Sequence, residues 1–186
     1  MSTETTEAVV ALPAGVRLEV ERGLLKAKGP LGQIERPFPS DALGLVVADG
    51  KATLTLKLPP GRKQSRSLLA TWAAHLKNLA GGLTLGVEAK MKVVAAHFPM
   101  KVVVKGQELI IENFLGEKYP RTAPLRPGTK AAVEGDIVIL SGYDVEQVGQ
   151  SAANIERATH IRNYDPRVFQ DGIYLTEHAH LKGAEA

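Results

Sequence analysis

Apolar and polar side chains alternate over residues 16–20 (Val-Arg-Leu-Glu-Val), and residues 101–105 (Lys-Val-Val-Val-Lys) place an apolar run between two lysines. A period of two sends successive side chains to opposite faces of a sheet, so both segments read as half-buried strands. Each is followed by a turn and a second strand, at residues 24–28 and 108–112. Each second strand then meets a Leu-Gly turn, Gly29-Pro-Leu-Gly32 in one case and Asn113-Phe-Leu-Gly116 in the other. Gly, Pro and Asn tolerate the backbone angles of tight turns, so both read as hairpin turns. A further hairpin is predicted in each half, residues 45–47 with 52–58 and residues 131–134 with 136–141, turning at Asp49-Gly50 and Gly135-Asp136. The period then changes from two to helical. Leu69, Trp72, Ala73, Leu76 and Leu79 form one stripe of a helix over residues 64–80. Gly81-Gly82 is expected to end it, because glycine favours helix C-termini. A second helix is expected over residues 145–161, with Val148, Ala152, Ile155 and Thr159 facing inward.

The two series match in order and spacing. Gly32 and Gly116 are 84 residues apart, as are Ser67 and Ser151. The fold class that follows is α+β: a tandem duplication of a small, mostly antiparallel β-sheet unit packed with one helix, in two lobes. The expected division is an N-terminal lobe at residues 1–82, a connecting segment at 83–96, a C-terminal lobe at 97–176 and a flexible tail at 177–186. Two repeats do not make a solenoid, which needs at least three.

Composition changes this picture little. At 186 residues, 44% hydrophobic and 23% charged, the chain can bury a core. It has no cysteine, which excludes disulfides and thiolate metal sites. The acidic start Met1-Ser-Thr-Glu-Thr-Thr-Glu7 lacks the pattern of a signal peptide, and no apolar run reaches the ~18 residues of a membrane span. Charge is more informative. The net charge is only +3, yet residues 50–87 hold six Lys/Arg and no acid, whereas residues 1–49 hold five Lys/Arg against seven Asp/Glu. A local basic block fits either a polyanion-facing surface or a solvated helix face.

No catalytic constellation emerges. Gly61-Arg-Lys-Gln-Ser65 precedes a helix as a phosphate loop would, but Leu56 stands where that loop needs glycine. Gly81-Gly82-Leu-Thr-Leu-Gly86 has the wrong spacing for a dinucleotide fingerprint. His178 and His180 are too few for a structural metal site. What remains is basic and amide side chains around the two helices. Arg62, Lys63 and Arg66 open the first; His75 and Lys77 lie off its apolar stripe. Arg157, His160 and Arg162 follow the second and lead into Asn163-Tyr-Asp-Pro-Arg-Val-Phe-Gln-Asp-Gly172. This mixture suits RNA: arginine meets phosphate, amides meet base edges and 2′-hydroxyls, and Tyr164 or Phe169 can stack. The other reading of the same loop is a helix-terminating turn with Tyr164 and Phe169 packed as core.

Several of these segments resemble a known family. Ala73-Ala-His-Leu-Lys-Asn78, Gly82-Leu-Thr-Leu-Gly86 and Lys92-Val-Val-Ala-Ala-His-Phe-Pro99 are similar to the central part of the large-subunit ribosomal protein six family. Ile111-Glu-Asn-Phe-Leu-Gly-Glu-Lys118 with Arg121, and Gly149-Gln-Ser-Ala-Ala-Asn-Ile-Glu156 with Ala158-Thr159, follow in the family's order. The ending, Asn163 to Tyr174, resembles the archaeal and eukaryotic branch. The resemblance spans roughly residues 10–176. It implies a non-catalytic, cofactor-free, cytoplasmic constituent of the large ribosomal subunit. Its partners would be large-subunit rRNA, near the stalk base and sarcin–ricin loop, and neighbouring ribosomal proteins, with no membrane and no small-molecule substrate. Carried over to this chain, it makes Lys118, Arg121, Arg157, His160, Arg162, Asn163, Arg167, Gln170 and Asp171 candidate rRNA contacts. Arg62, Lys63, Arg66 and Lys77 become a secondary surface for RNA or protein. The chain departs from the family at Val87 and Ala89, where aromatics are usual, and at Leu79, where methionine is; all three are expected to be packing positions. Two other function classes remain, a nucleotide-binding enzyme resting on the Gly61 loop and a protein-interaction scaffold.

Overall fold

The structure is a computed structural model that describes residues 7–48, 50–57, 63–165 and 167–183, with the backbone alone at 63–65. Its internal contacts divide the chain between Leu85 and Gly86 into two units.

The first unit holds six strands and a helix: β1 (Glu7–Ala11), β2 (Arg17–Glu21), β3 (Leu24–Gly29), β4 (Gly32–Pro37), β5 (Leu43–Ala48), β6 (Lys51–Leu56) and α1 (Lys63–Leu85). They form two antiparallel three-stranded sheets, ordered β2-β3-β4 and β1-β6-β5. Helix α1 packs on β1, β3, β4 and β6, burying Leu69, Leu76 and Leu79 as the stripe predicts, with Leu25, Leu43 and Leu54 from the strands. Trp72 is half-buried, edge-on to Phe38 with ring centroids 4.9 Å apart. The Gly29–Gly32 turn is a tight hairpin, its two glycines paired in register. Of the Asp49-Gly50 turn only Gly50 is described, in the left-handed region at φ 71°; Asp49, Leu58 and the Gly61-Arg62 start of the phosphate-loop-like segment lie outside the described residues.

Helix α1 does not stop at Gly81-Gly82. It continues to Leu85 and ends where Gly86 takes φ 81°. Each interior glycine costs about 1 kcal/mol relative to alanine, so something must hold the last turn. Leu83 is fully buried, and burying a leucine contributes about 1.5–3 kcal/mol. The Leu31 amide also donates to the Leu83 carbonyl at 3.2 Å. Gly29 sits so close that a Cβ there would lie 2.7 Å from the Leu83 Cβ. Tertiary packing overrides the local glycine signal.

The second unit repeats the first. It comprises β7 (Val87–Val94), β8 (Lys101–Lys105), β9 (Glu108–Glu112), a 3-10 turn (Phe114–Gly116), β10 (Arg121–Pro124), β11 (Lys130–Glu134), β12 (Ile137–Gly142), α2 (Val145–Ala158) and β13 (Gly172–Leu181). Sheet β10-β9-β8 matches β4-β3-β2, and β11-β12-β7 matches β5-β6-β1. Strand β13 is an addition, antiparallel to β7 on its other side. The α+β duplication is as the sequence implies, but each repeat begins one strand earlier, with β1 and β7. Residues 83–96, read as a connector, form the end of α1 and the inner strand β7. Residues 177–181, read as tail, complete β13.

Two local expectations change here. Asn113-Phe-Leu-Gly116 is not a tight hairpin turn. Asn113, Leu115 and Gly116 all have positive φ (60°, 49° and 79°), and the link to β10 is a wide loop opened by the 3-10 turn. Helix α2 ends at Ala158, not residue 161, with Thr159 as its C-cap. Its N-cap is Asp144, whose carboxylate accepts from the Glu146 amide at 3.0 Å. The paired serines differ in role: Ser67 is exposed, whereas Ser151 is buried, donating to the Gln147 carbonyl and accepting from the Arg126 amide. Val87, Ala89 and Leu79 are all core positions.

Candidate nucleic-acid interface

The C-terminal end of α2 opens a loop that β13 closes, and both ends of that loop are fastened. Beyond Thr159 the chain passes through Asn163, left-handed at φ 66°, a conformation asparagine tolerates better than most residues. The Asp165 carboxylate accepts from the Arg167 amide at 2.9 Å, an Asx turn, and the Asp165 carbonyl accepts from the Val168 and Phe169 amides. At β13 the Thr159 hydroxyl accepts from the Ile173 amide at 3.1 Å, and the Glu156 carboxylate accepts from the Leu175 amide at 3.0 Å. An open groove of about 450 Å³ runs beside these contacts, lined by Glu156, His160, Ile161, Phe169 and Tyr174 among others.

Arg121 holds the same helix end from the opposite direction. Its Nη1 donates to the carbonyls of Ala158 at 2.8 Å and His160 at 3.1 Å. Its Nε and Nη2 form a two-pronged pair with the Glu117 carboxylate at 2.8 and 2.6 Å, which holds the Glu117 carboxyl below its usual range. The guanidinium carbon lies 4.2 Å from the Phe114 ring centroid. Such a cation among the last carbonyls of a helix complements its dipole.

Asp171 terminates the loop. Its carboxylate is buried and accepts from the His97 amide at 2.9 Å, while His97 Nδ1 lies 2.7 Å from its other oxygen. Burial opposes ionisation, but the His97 amide, the His97 ring and the Ala96 amide outweigh it and hold the carboxyl below the ordinary aspartate range. The His97 ring in turn meets Phe169, with centroids 4.7 Å apart, and Phe169 meets Tyr164 at 4.8 Å. Three rings thus run from the buried carboxylate outward to Tyr164, which is 52% exposed.

The candidate contacts separate on this geometry. Arg157, His160, Arg162, Asn163, Arg167 and Gln170 are exposed on the helix end and its loop, and Lys118 is exposed next to the Glu117–Arg121 pair. Arg121 and Asp171 are placed otherwise: four of Arg121's five N–H donors are engaged within the unit, and Asp171 is an internal anchor. In the first unit Arg66 and Lys77 are exposed on α1, with Arg66 already partnered. Arg62 lies outside the described residues, and Lys63 is described only as backbone. His97 is the residue bracing the candidate loop that charge and periodicity overlook. Its signal is the Ala-Ala-His-Phe-Pro string, which names no role without the pairing to Asp171. Phe169 is half-buried between the His97 and Tyr164 rings, as the packing reading has it.

His178 and His180 lie on β13, with His180 Nδ1 2.8 Å from the His178 carbonyl. Among the described residues no cluster of three or more His, Cys, Asp or Glu side chains is placed to hold a metal ion, and no helix is long and apolar enough to cross a membrane.

Residues 98–172, which include the loop, Arg121 and α2, match the family described as ribosomal protein L6. Full-length similarity is broader. A protein of Methanosarcina mazei named large ribosomal subunit protein uL6 is 44% identical over 170 residues, covering 91% of this chain and 96% of its own. Proteins of the same name from Ignicoccus hospitalis and Archaeoglobus fulgidus are 45% and 43% identical, covering 90% and 95% of this chain and 92% of their own lengths. With similarity of that extent running through both units, the chain belongs to the ribosomal protein L6 family.

Proposed function

We propose that this chain is a structural constituent of the large ribosomal subunit that grips large-subunit rRNA chiefly through the exposed end of α2 and the loop after it. Residues 97–176 are then the main RNA-binding lobe, and Lys118, Arg157, His160, Arg162, Asn163, Arg167 and Gln170 the contacts. The place within the subunit is the stalk base beside the sarcin–ricin loop, next to neighbouring ribosomal proteins, where the chain supports the translation factor-binding region. One observation carries this reading: two exposed arginines, Arg162 and Arg167, and two exposed amides, Asn163 and Gln170, sit on a loop whose ends are fastened by the Thr159 and Asp171 hydrogen bonds, and Arg157 is exposed on the last turn of α2 that leads into it. A pre-ordered cationic loop binds phosphate without the entropic cost of ordering itself. Such work asks for no substrate and no cofactor.

Charge reversal at Arg162 and Arg167 tests it. Both side chains are exposed, so Arg162→Glu with Arg167→Glu should leave the unfolding midpoint unchanged while reducing the protein found in sedimented large subunits. Full incorporation of the double variant would discard the loop as the contact.

A further inference from the structure

We propose that Tyr164 is a stacking platform for an unpaired RNA nucleobase, so that the loop recognises a bulged or looped-out nucleotide rather than a continuous duplex. This rests on the loop being an RNA contact and adds what kind of RNA it takes. Tyr164 is the outer member of a row of three rings. Its inner neighbour Phe169 lies 4.8 Å away, and Phe169 lies 4.7 Å from His97. His97 is in turn locked to the buried Asp171 carboxylate through both its amide and its ring. The row is thus anchored at its inner end and open at its outer end, where half of the Tyr164 surface meets solvent. An aromatic ring held in place by a neighbour loses little rotamer freedom when a base lands on it, which is what a stacking site needs.

Charge around the ring favours a nucleotide over an apolar partner. Arg162 and Arg167 are exposed two residues before it and three after, and Arg157 is exposed on the last turn of α2. From residue 157 to residue 170 the only acid is Asp165, whose carboxylate caps the Arg167 amide. The exposed Asn163, adjacent to the ring, supplies an amide of the kind that reads base edges. Exposed arginines before and after an exposed ring in the chain suit the alternation of base and phosphate along a nucleotide strand. A ring can meet only the face of a base, and a duplex hides those faces inside its own stack. The complementary ligand is therefore an unpaired nucleotide flanked by phosphates.

The test uses the full chain and two RNA hairpins of one stem sequence, one fully paired and one carrying a single unpaired 2-aminopurine, whose fluorescence falls when it stacks. Wild type should bind the bulged hairpin more tightly and quench it. Tyr164→Phe should do the same. Tyr164→Leu should abolish the quench and weaken binding to the bulged hairpin by about five- to 150-fold. Its affinity for the paired hairpin should not change, which also reports an intact fold. Equal binding of both hairpins by wild type overturns the proposal, and so does a Tyr164→Leu variant that quenches as wild type does. The Arg162→Glu, Arg167→Glu double variant separates the two ideas. If it loses both hairpins while Tyr164→Leu loses neither, the platform falls and the cationic loop stands. If it binds both as wild type does, the loop reading falls on its own.

Discussion

The Arg121 guanidinium meets two carbonyls, one carboxylate and one ring face at once. A lysine could satisfy any one of these but not the fork. Arg121→Ala should therefore lower stability by about 1.5–3 kcal/mol, the scale of hydrogen bonds to a charged group. Arg121→Lys should recover only a minor part, both read as shifts in the urea midpoint. The same substitutions at Arg162 should leave that midpoint in place. Asp171 makes a pH-dependent prediction. Its carboxyl is held below the usual range in the fold. Its charged form thus contributes stability above the unfolded value of about 3.9, and that contribution is lost as pH falls through the lower folded value. Asp171→Asn should then be clearly less stable than wild type near neutrality, with the gap closing as the medium is acidified below about 4. A gap that stays constant with pH would show that the buried charge is not its source. In the sequence Arg121 and Asp171 stand beside Arg162 and Arg167 with nothing to separate them. What separates them is partners 37 and 74 residues away in the chain, which no local pattern records.

At the scale of elements, strands with alternating side chains are easy to read and boundaries set by tertiary contacts are not. Strand β8, an apolar run between two lysines, also falls where the sequence puts it. Strand β7, despite its alternating buried positions, reads as linker when the repeat is anchored on the strand after it. Helix α1 reads as ending at a glycine pair whose cost is outweighed by the burial of Leu83. Glycines therefore offer two opposite tests. Gly29→Ala must push its Cβ against Leu83, and such overpacking costs about 1–3 kcal/mol. Gly149 lies within α2, and a Cβ there meets nothing within 4 Å. Gly149→Ala should raise the melting temperature, by the equivalent of about 0.5–1 kcal/mol.

For the molecule as a whole, a net charge of +3 is too small to drive RNA binding by itself, so placement must matter more than total. The acid-free block at residues 50–87 draws attention first, but part of it falls outside the described residues, and of the cations described on α1, Arg66 is already engaged. The second unit instead places Arg157 on the last turn of α2 and Arg162 and Arg167 on the fastened loop that follows it. Neutralising Arg157, Arg162 and Arg167 together should lower the slope of log K against log salt by roughly two to three, about 0.9 for each phosphate that no longer has a cation beside it. Neutralising Lys77 should leave that slope where it is. Fluorescence titrations of the whole chain at several salt concentrations check both. The duplication itself, the α+β class and the two helices are legible from spacing alone. The choice of loop over helix face comes from family resemblance, because charge cannot tell a bound cation from a solvated one.

The added strand β13 has a consequence in time. Chains emerge from synthesis N-terminal end first, at about 5–20 residues per second. All the described strands and the helix of the first unit are made by residue 85, so the pairing among those strands can form before later chain is made. The arginine loop differs. It is closed by Asp171 and by the pairing of residues 172–181 with β7, both of which are made after it. A nascent chain that has exposed Arg162 and Arg167 but not yet residue 181 carries the cations without the brace that arranges them. If the loop is the RNA contact proposed above, competence to grip RNA would arrive only when that last strand docks.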